Sequence, residues 1–262
     1  MARKSEYAHG QFCWVDLMAH DGPSALEFYS SLFGWNAEQQ DTQGGPPYYL
    51  LKLNGESVAG FGEMNPEMKE AGMPPIWSSY VNVRDIAEIT AQAESLGGQV
   101  RMPPMQVFEA GWMSVIVDPA GASLCLWQAN QTCGATLVNE PNTWVWSELI
   151  TTSIEDVAPF YEQLFGWTTR KDEEKDNYWT FLLGDREQAG GMNLSPEMGP
   201  IPPHWGAYFA VEDVRATCTK LKELGGSIIL EPFEVSVGHI AVVTDPQGGC
   251  FNLIQMTVPA DD

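Results

Sequence analysis

An indole and a carboxylate stand two residues apart at two places in the chain, as Trp14 with Asp16 and as Trp146 with Glu148. If both segments are strands, side chains two residues apart point to the same face of a sheet. A carboxylate held beside an indole and partly withdrawn from water has a raised pKa, which suits a general base. A structural carboxylate in the same place would instead need hydrogen-bond partners. The spacing leaves both interpretations of Asp16 and Glu148 open.

Both pairs belong to a repeat that covers most of the chain. Three segments recur in the same order, and the matched pairs are Leu26–Trp35 with Ala158–Trp167, Val81–Gly98 with Phe209–Gly226, and Asp118–Gln128 with Asp245–Gln255. Self-similarity in a fixed order indicates two copies of one domain. We therefore predict domains at residues 9–129 and 143–256, joined by a polar linker at 130–142.

Each copy divides again into two units with the same order of signals. In the first unit an alternating segment is followed by Asp21 and Pro23, which are typical of a helix start, and Gly34 is typical of a helix end. Strand-like runs follow each helix, and DPxG turns beginning at Asp118 and Asp245 join the last two strands of each copy. The order β-α-β-β-β, repeated four times, predicts an α+β fold.

Composition narrows the classes of function. The chain of 262 residues has a formal net charge of −22, which disfavours binding to phosphate backbones and to anionic lipid. We find no apolar run near the roughly 18 residues of a membrane span and no apolar segment of a secretion signal. The five cysteines lack CxxC spacing, which indicates free thiols in a reducing compartment. We expect a cytoplasmic protein that binds neither nucleic acid nor membrane.

Paired βαβββ units with FY..LFGW after the first helix, LGG after the second and DP.G before the last strand resemble one family. The chain is identified over about residues 9–256 as a member of the glyoxalase/bleomycin-resistance/dioxygenase (vicinal oxygen chelate) superfamily. It is most similar to fused two-domain bacterial members of the hydroxylase-like and antigen-like type. The resemblance implies curved mixed sheets that form two cups, with the helices on the convex side. It leaves open whether units pair within a domain or between domains, and whether the protein is a monomer or a homodimer.

The resemblance also implies where a metal ion would be held, commonly by His and Glu side chains on the cup face. In this sequence the corresponding positions are Trp14 and Trp146, Ser78 and Gly206, Gly60 and Gly190, and Cys125 and Asn252. A divalent ion needs three or four converging donors, and an indole offers only an N–H. We therefore expect no metal site and no cofactor. The alternative is a divalent-metal-dependent lyase or dioxygenase whose ligands lie elsewhere in the chain.

Cups of this composition would have an aromatic lining with a few polar groups. The expected ligand-binding residues are Trp14, Trp146, Tyr80, Tyr208, Cys125, Asn252, Trp127 and His239. Such a lining suits a planar or apolar small molecule, and Asp16 or Glu148 would be the catalytic groups of any weak cofactor-independent reaction. Two alternatives remain: the aromatic rings fill the cups as core, or the acidic protein sequesters a cationic aromatic drug.

Overall fold

A computed structural model describes residues 2–175 and 177–257. The strands of the first half are β1 (Ala2–Arg3), β2 (Phe12–Ala19), β3 (Asn36–Gln39), β4 (Tyr48–Leu53), β5 (Glu56–Glu63), β6 (Ile76–Asn82), β7 (Gln99–Val107), β8 (Gly111–Val117), β9 (Ser123–Ala129) and β10 (Leu137–Val138). Those of the second half are β11 (Trp144–Thr151), β12 (Thr168–Lys171), β13 (Trp179–Leu183), β14 (Arg186–Asn193), β15 (His204–Ala210), β16 (Ser227–Val235), β17 (Gly238–Thr244) and β18 (Cys250–Met256). The helices are α1 (Gly22–Phe33), α2 (Pro66–Glu70), α3 (Ile86–Ser95), α4 (Ile154–Phe165) and α5 (Val214–Glu223), with a 3-10 turn at Pro196–Met198.

Each half of the chain builds one curved, eight-stranded mixed sheet. The strand order is β3-β4-β5-β2-β6-β9-β8-β7 in the first sheet and β12-β13-β14-β11-β15-β18-β17-β16 in the second. The two units of a half meet where β2 runs antiparallel to β6 and where β11 runs antiparallel to β15. The predicted α+β class is therefore confirmed, and units pair within a half rather than between halves. Within the described ranges, no helix is long and apolar enough to cross a membrane.

The two halves share one aromatic core between their convex faces. Phe12 of β2 stacks on Trp167 at a ring distance of 5.7 Å and lies 5.2 Å from Trp205. Phe209 of β15 lies 4.8 Å from Trp77 and 5.4 Å from Phe33, both in the first half. These contacts place the most conspicuous apolar side chains of each half against the other half. The core of each domain is therefore completed by its neighbour.

Hydrogen bonds from the FY and DPxG motifs cross the same boundary. The Tyr29 hydroxyl donates to Asp245 Oδ2 at 2.9 Å and accepts a hydrogen bond from Trp77 Nε1 at 3.0 Å. In the reciprocal arrangement the Tyr161 hydroxyl donates to Asp118 Oδ2 at 2.8 Å. The other oxygen of each aspartate accepts backbone N–H groups of its own turn. Each turn is thus held by a helix of the opposite half.

Strands also meet directly at the centre of this boundary. The hydroxyl oxygens of Ser79 on β6 and Ser147 on β11 lie 2.9 Å apart, and both side chains are buried. Because a buried hydroxyl without a partner is costly, this bond satisfies both groups. The convex faces therefore meet at the centre of the molecule, and the concave faces point outwards.

Candidate functional site

The register of the first sheet assembles a cluster on its concave face, which we call cup 1. Trp14 pairs with Tyr80, and Asp16 lies between Ser78 on one side and Gly60 on the other. On the parallel neighbour, Cys125 pairs with Tyr80. Cup 1 therefore brings together four side chains that the sequence placed there: Trp14, Asp16, Tyr80 and Cys125.

The second sheet repeats the arrangement in cup 2. Trp146 pairs with Tyr208, Glu148 pairs with Gly206 and Gly190, and Tyr208 pairs with Asn252. The Tyr208 hydroxyl donates to Glu148 Oε1 at 2.6 Å. The two cups therefore present the same order of an indole, a carboxyl and a phenol, as expected from the repeat.

A second tyrosine in each cup was missed by the sequence analysis. In cup 1 the Tyr48 hydroxyl donates to Asp16 Oδ2 at 3.3 Å and accepts from Trp14 Nε1 at 3.2 Å, while the Tyr80 hydroxyl donates to the same Oδ2 at 2.8 Å. A Cβ atom on Gly60 would overlap the Tyr48 hydroxyl. The absence of a side chain at position 60 therefore makes room for a phenol.

Cup 2 also has a tyrosine hydroxyl in the space over a glycine. Tyr178 is hydrogen-bonded to both Glu148 and Trp146, and a Cβ atom on Gly190 would overlap its hydroxyl. A tyrosine twelve residues before a glycine, in both halves, is a signal that the sequence analysis could have used. We call these groups the aromatic–carboxyl clusters, and their members are Trp14, Asp16, Tyr48 and Tyr80 in cup 1, and Trp146, Glu148, Tyr178 and Tyr208 in cup 2.

Burial controls the protonation of the clusters. It raises the pKa of Asp16 from 3.8 to about 6, although the hydrogen bonds from Tyr80 and Tyr48 act in the opposite direction. Burial likewise raises the pKa of Glu148 against the hydrogen bonds from Tyr208 and Tyr178. The pKa of Tyr80 lies well above its usual range, because its hydroxyl is buried beside Asp16. The phenols therefore stay protonated, and the carboxyl of Asp16 titrates near pH 6.

This shift of the Asp16 pKa predicts a pH-dependent contribution to stability. Because the folded protein holds the proton more tightly than the unfolded chain, the stabilisation is present below pH 3.8 and is lost as the pH rises through about 6. The whole shift corresponds to at most about 3 kcal/mol. We expect urea unfolding across this range to show a steeper loss of stability with rising pH for the native chain than for Asp16→Asn. If the free energy of unfolding changed with pH in the same way in both proteins, the raised pKa of Asp16 would be contradicted.

The floors of the cups remain in contact with solvent. Asp16 and Tyr80 are each 5% exposed, whereas Val15 and Leu17, which point to the convex side of the same strand pair, are 0% exposed. In cup 2, Tyr208 is 7% exposed and its convex-side neighbour Phe209 is 0% exposed. The cup-side residues are therefore closely packed, but they keep a small exposed fraction that the convex-side residues lack.

Three of the predicted ligand-binding residues are not members of the hydrogen-bonded clusters around Asp16 and Glu148. His239 pairs with Gln255, whose side chain accepts the Val214 N–H at the start of α5, so the histidine lies on the helix side of the sheet. Trp127 faces cup 1, but its Nε1 donates to Thr132 O in the linker at 2.9 Å. Burial raises the pKa of the Cys125 thiol well above its usual range, which keeps the thiol protonated and a poor nucleophile.

The donor set does not fit a divalent ion held by side chains. In the described residues, no three His, Cys, Asp or Glu side chains converge as metal ligands. Cup 1 offers one carboxyl and one protonated thiol, together with the Ser78 hydroxyl, an indole N–H and two phenols that are already engaged. Such a set supplies too few charged donors for the sites that zinc or calcium occupies in proteins.

Fold and repeat together define a protein of two glyoxalase-like domains. The chain belongs to the Glyoxalase/Bleomycin resistance protein/Dioxygenase superfamily, whose family model matches residues 11–126 and 144–253. The family predicted from the sequence is therefore confirmed.

Among curated relatives, the putative glyoxylase CFP32 of Mycobacterium tuberculosis is 43% identical over 259 residues, covering 97% of this chain and 98% of that protein. The anthracycline biosynthesis protein DnrV of Streptomyces peucetius is 32% identical over 265 residues, covering 96% and 95%. Among solved structures, the Mn(II)-bound glyoxalase from Novosphingobium aromaticivorans matches with a TM-score of 0.65 at 15% identity, covering 100% of this chain and 85% of that chain. The 2,3-dioxygenase LapB from Pseudomonas sp. KL28 matches with a TM-score of 0.65 at 14% identity, covering 96% and 95%. At these identities the structural matches speak for the fold alone.

Proposed function

We propose that the protein binds a small aromatic or apolar organic molecule in its cups, without a metal ion held by the cup side chains. One observation carries this proposal: in both cups an aromatic–carboxyl cluster occupies the floor of the sheet. Within the cluster of cup 1, the indole N–H and both phenol hydrogens are engaged in hydrogen bonds to one another and to Asp16. The cup therefore offers a ligand flat ring surfaces and one titrating carboxyl, which is the composition of an organic-ligand site.

Two further points support a ligand of this kind. Asp16, Tyr80 and Tyr208 on the cup floors keep 5–7% of their surface exposed, so a ligand that displaces the wall side chains can reach the rings. One relative that matches nearly the whole chain is named for anthracycline biosynthesis, and anthracyclines are polycyclic aromatic compounds. We carry that chemical class to this chain as part of the proposal.

The same geometry supports a catalytic role for the carboxyls. Asp16, with a pKa of about 6, and Glu148, with a raised pKa, would take a proton from a bound molecule and return it. The hydrogen bonds from the tyrosine hydroxyls would keep each carboxyl group oriented both before and after it takes the proton. In any turnover that is found, Asp16→Asn or Glu148→Gln should lower the rate; unchanged rates in both variants would remove these residues from the mechanism.

Metal analysis and ligand screening test the binding proposal. Protein purified without chelator should contain far less than one equivalent of iron, zinc, nickel or manganese. Aromatic compounds should raise its melting temperature, and Trp14→Ala or Trp146→Ala should reduce that rise in the affected cup. A stoichiometric metal would favour the metal-dependent lyase or dioxygenase, and no shift with any compound would favour cups filled as core. Tight binding restricted to a cationic drug, without turnover, would favour sequestration.

We further propose a cytoplasmic monomer. The aromatic core shared by the halves supplies within one chain the contact that two separate domains would need to find. All five cysteines are free thiols, in keeping with a reducing compartment. Sedimentation at micromolar concentration should give a mass near 28.9 kDa, and a stable species of twice that mass would show a homodimer.

A further inference from the structure

Building on the proposed function, we infer that cup 1 is the ligand-binding cup and that it selects flat aromatic molecules bearing a positively charged hydrogen-bond donor, which contacts Asp16. Three features of cup 1 support this assignment, and the second and third are differences from matched residues of cup 2.

The first feature is an unused acceptor on Asp16. Both phenols, Tyr48 and Tyr80, donate to Oδ2, and within the described residues Oδ1 accepts no hydrogen bond. Asp16 is buried, with 5% of the residue exposed, and it lies on the cup face of β2. Oδ1 is not among the buried polar atoms of the described residues that lack a partner, so it is open to solvent, and a charged ligand donor can bind there in place of water.

The second feature is the counter-charge. In cup 2, the Lys175 ammonium lies 4.6 Å from the centre of the Tyr178 ring, and its charge lowers the pKa of Glu148. In cup 1, burial and two phenols are the influences on the pKa of Asp16, and no cation of the described residues contributes. Cup 2 thus carries its own cation above the cluster, whereas cup 1 leaves that place to a ligand.

The third feature is the side-chain chemistry of the walls. Met113 pairs with Trp127 and with Met105, and Met18 lies over Gly62, so cup 1 is walled by thioethers. The matched positions of cup 2 hold branched or aromatic side chains, and the matched pairs are Met18 with Ile150, Met113 with Ile240, and Met105 with Phe233. Methionine is flexible and polarisable, and its sulfur packs favourably against aromatic rings. Cup 1 can therefore adapt to a flat ring where cup 2 is more rigid.

Three probes with the same ring system test the selection. The native protein is titrated at pH 7.5 with 9-aminoacridine, which is a cationic donor, with acridine, which is neutral, and with acridine-9-carboxylate, which is anionic. We expect 9-aminoacridine to bind one equivalent, at least tenfold more tightly than acridine and more tightly still than the carboxylate. Titrations in 0.5 M NaCl remove the general attraction of cations to a chain of charge −22.

Variants then locate the site. Asp16→Asn should weaken the binding of 9-aminoacridine by a factor of about 10 to 100, the range for a hydrogen bond to a charged group, and should weaken the binding of acridine much less. Glu94→Gln removes one surface carboxylate from α3 and should change neither affinity, which controls for net charge. Met113→Ile places in cup 1 the residue type that cup 2 has at the matched position. It should lower the affinity for both 9-aminoacridine and acridine several-fold, and it tests the site even if Asp16→Asn does not fold.

Three results of these titrations would contradict the inference. Equal affinity for acridine and 9-aminoacridine, or loss of binding with Glu148→Gln but not with Asp16→Asn or Met113→Ile, would overturn the inference while leaving an organic-ligand site in place. Failure of 9-aminoacridine to bind also overturns it. The proposed function itself fails if the wider thermal-shift screen shows no ligand for either cup, or if the purified protein carries a stoichiometric metal ion.

Discussion

A chain that ends at Asn142 is expected to lose cooperative folding as a monomer. The first half would then expose five aromatic side chains that are at most 5% exposed in the whole protein, namely Phe12, Tyr29, Phe33, Trp35 and Trp77. Each large apolar side chain returned to water costs about 1.5–3 kcal/mol, and the net stability of a domain is only about 5–15 kcal/mol. Asp118 would also lose the Tyr161 hydroxyl that now satisfies it.

Circular dichroism and thermal melting of residues 1–142 measure this loss directly. Co-expression with residues 143–262 provides the control, because the two fragments should associate and recover a cooperative transition. A monomeric fragment with a sharp melting transition near that of the intact chain would contradict the shared core.

Gly60→Ala is expected to cost about 3 kcal/mol, the upper part of the range for overpacking. The added Cβ would overlap the Tyr48 hydroxyl and would lie 2.9 Å from Asp16 Cβ, so the phenol must leave the carboxyl. The variant should therefore lose stability and also lose ligand affinity in cup 1. Urea unfolding and probe titration measure the two effects.

Two further variants make the cause of that loss specific. Tyr48→Leu removes the hydroxyl and the ring, so Gly60→Ala should cost markedly less in that background, with a coupling energy of about 1 kcal/mol or more. Gly206→Ala serves as the matched control in cup 2, because its nearest neighbour is the Asn252 amide at 3.1 Å and cup 1 holds Ser78 at the same place. We expect it to cost below about 1.5 kcal/mol. Additive costs for Gly60→Ala and Tyr48→Leu would show that the phenol is not what excludes a side chain.

Local rules were sufficient for the fold and for three of the four residues of each cluster. The repeat located the four units, and helix caps such as Asp21 and Gly34 form the hydrogen bonds that their types indicate. Alternation along one strand places Trp14 and Asp16 on the same face, because the side-chain period of a strand is two. Matching positions of the repeat then located Tyr80 beside them.

The sequence did not predict contacts between residues that are distant in the chain and that become neighbours only through the order of strands in the sheet. Tyr48 reaches Asp16 across β5, and its hydroxyl occupies the space above Gly60, so neither residue shows its role in the segment that contains it. The FY motif signals a helix with an apolar stripe, but the partner of Tyr29 is an aspartate 216 positions away in the other half. His239 was placed at a cup rim, and a shift of one residue along a strand moves a side chain to the opposite face.

The hydroxyl pair at the centre of the molecule has a consequence for which halves can be joined. In the repeat, Ser79 corresponds to Ala207 and Ser147 corresponds to Val15, so the twin of the Ser79–Ser147 pair is apolar on both sides. Two identical first halves meeting in this way would bury each Ser79 hydroxyl against a valine. The two halves are therefore complementary at this contact, and a chain joining two copies of the first half would lose this hydrogen bond at a cost of about 1–3 kcal/mol for each unpaired hydroxyl.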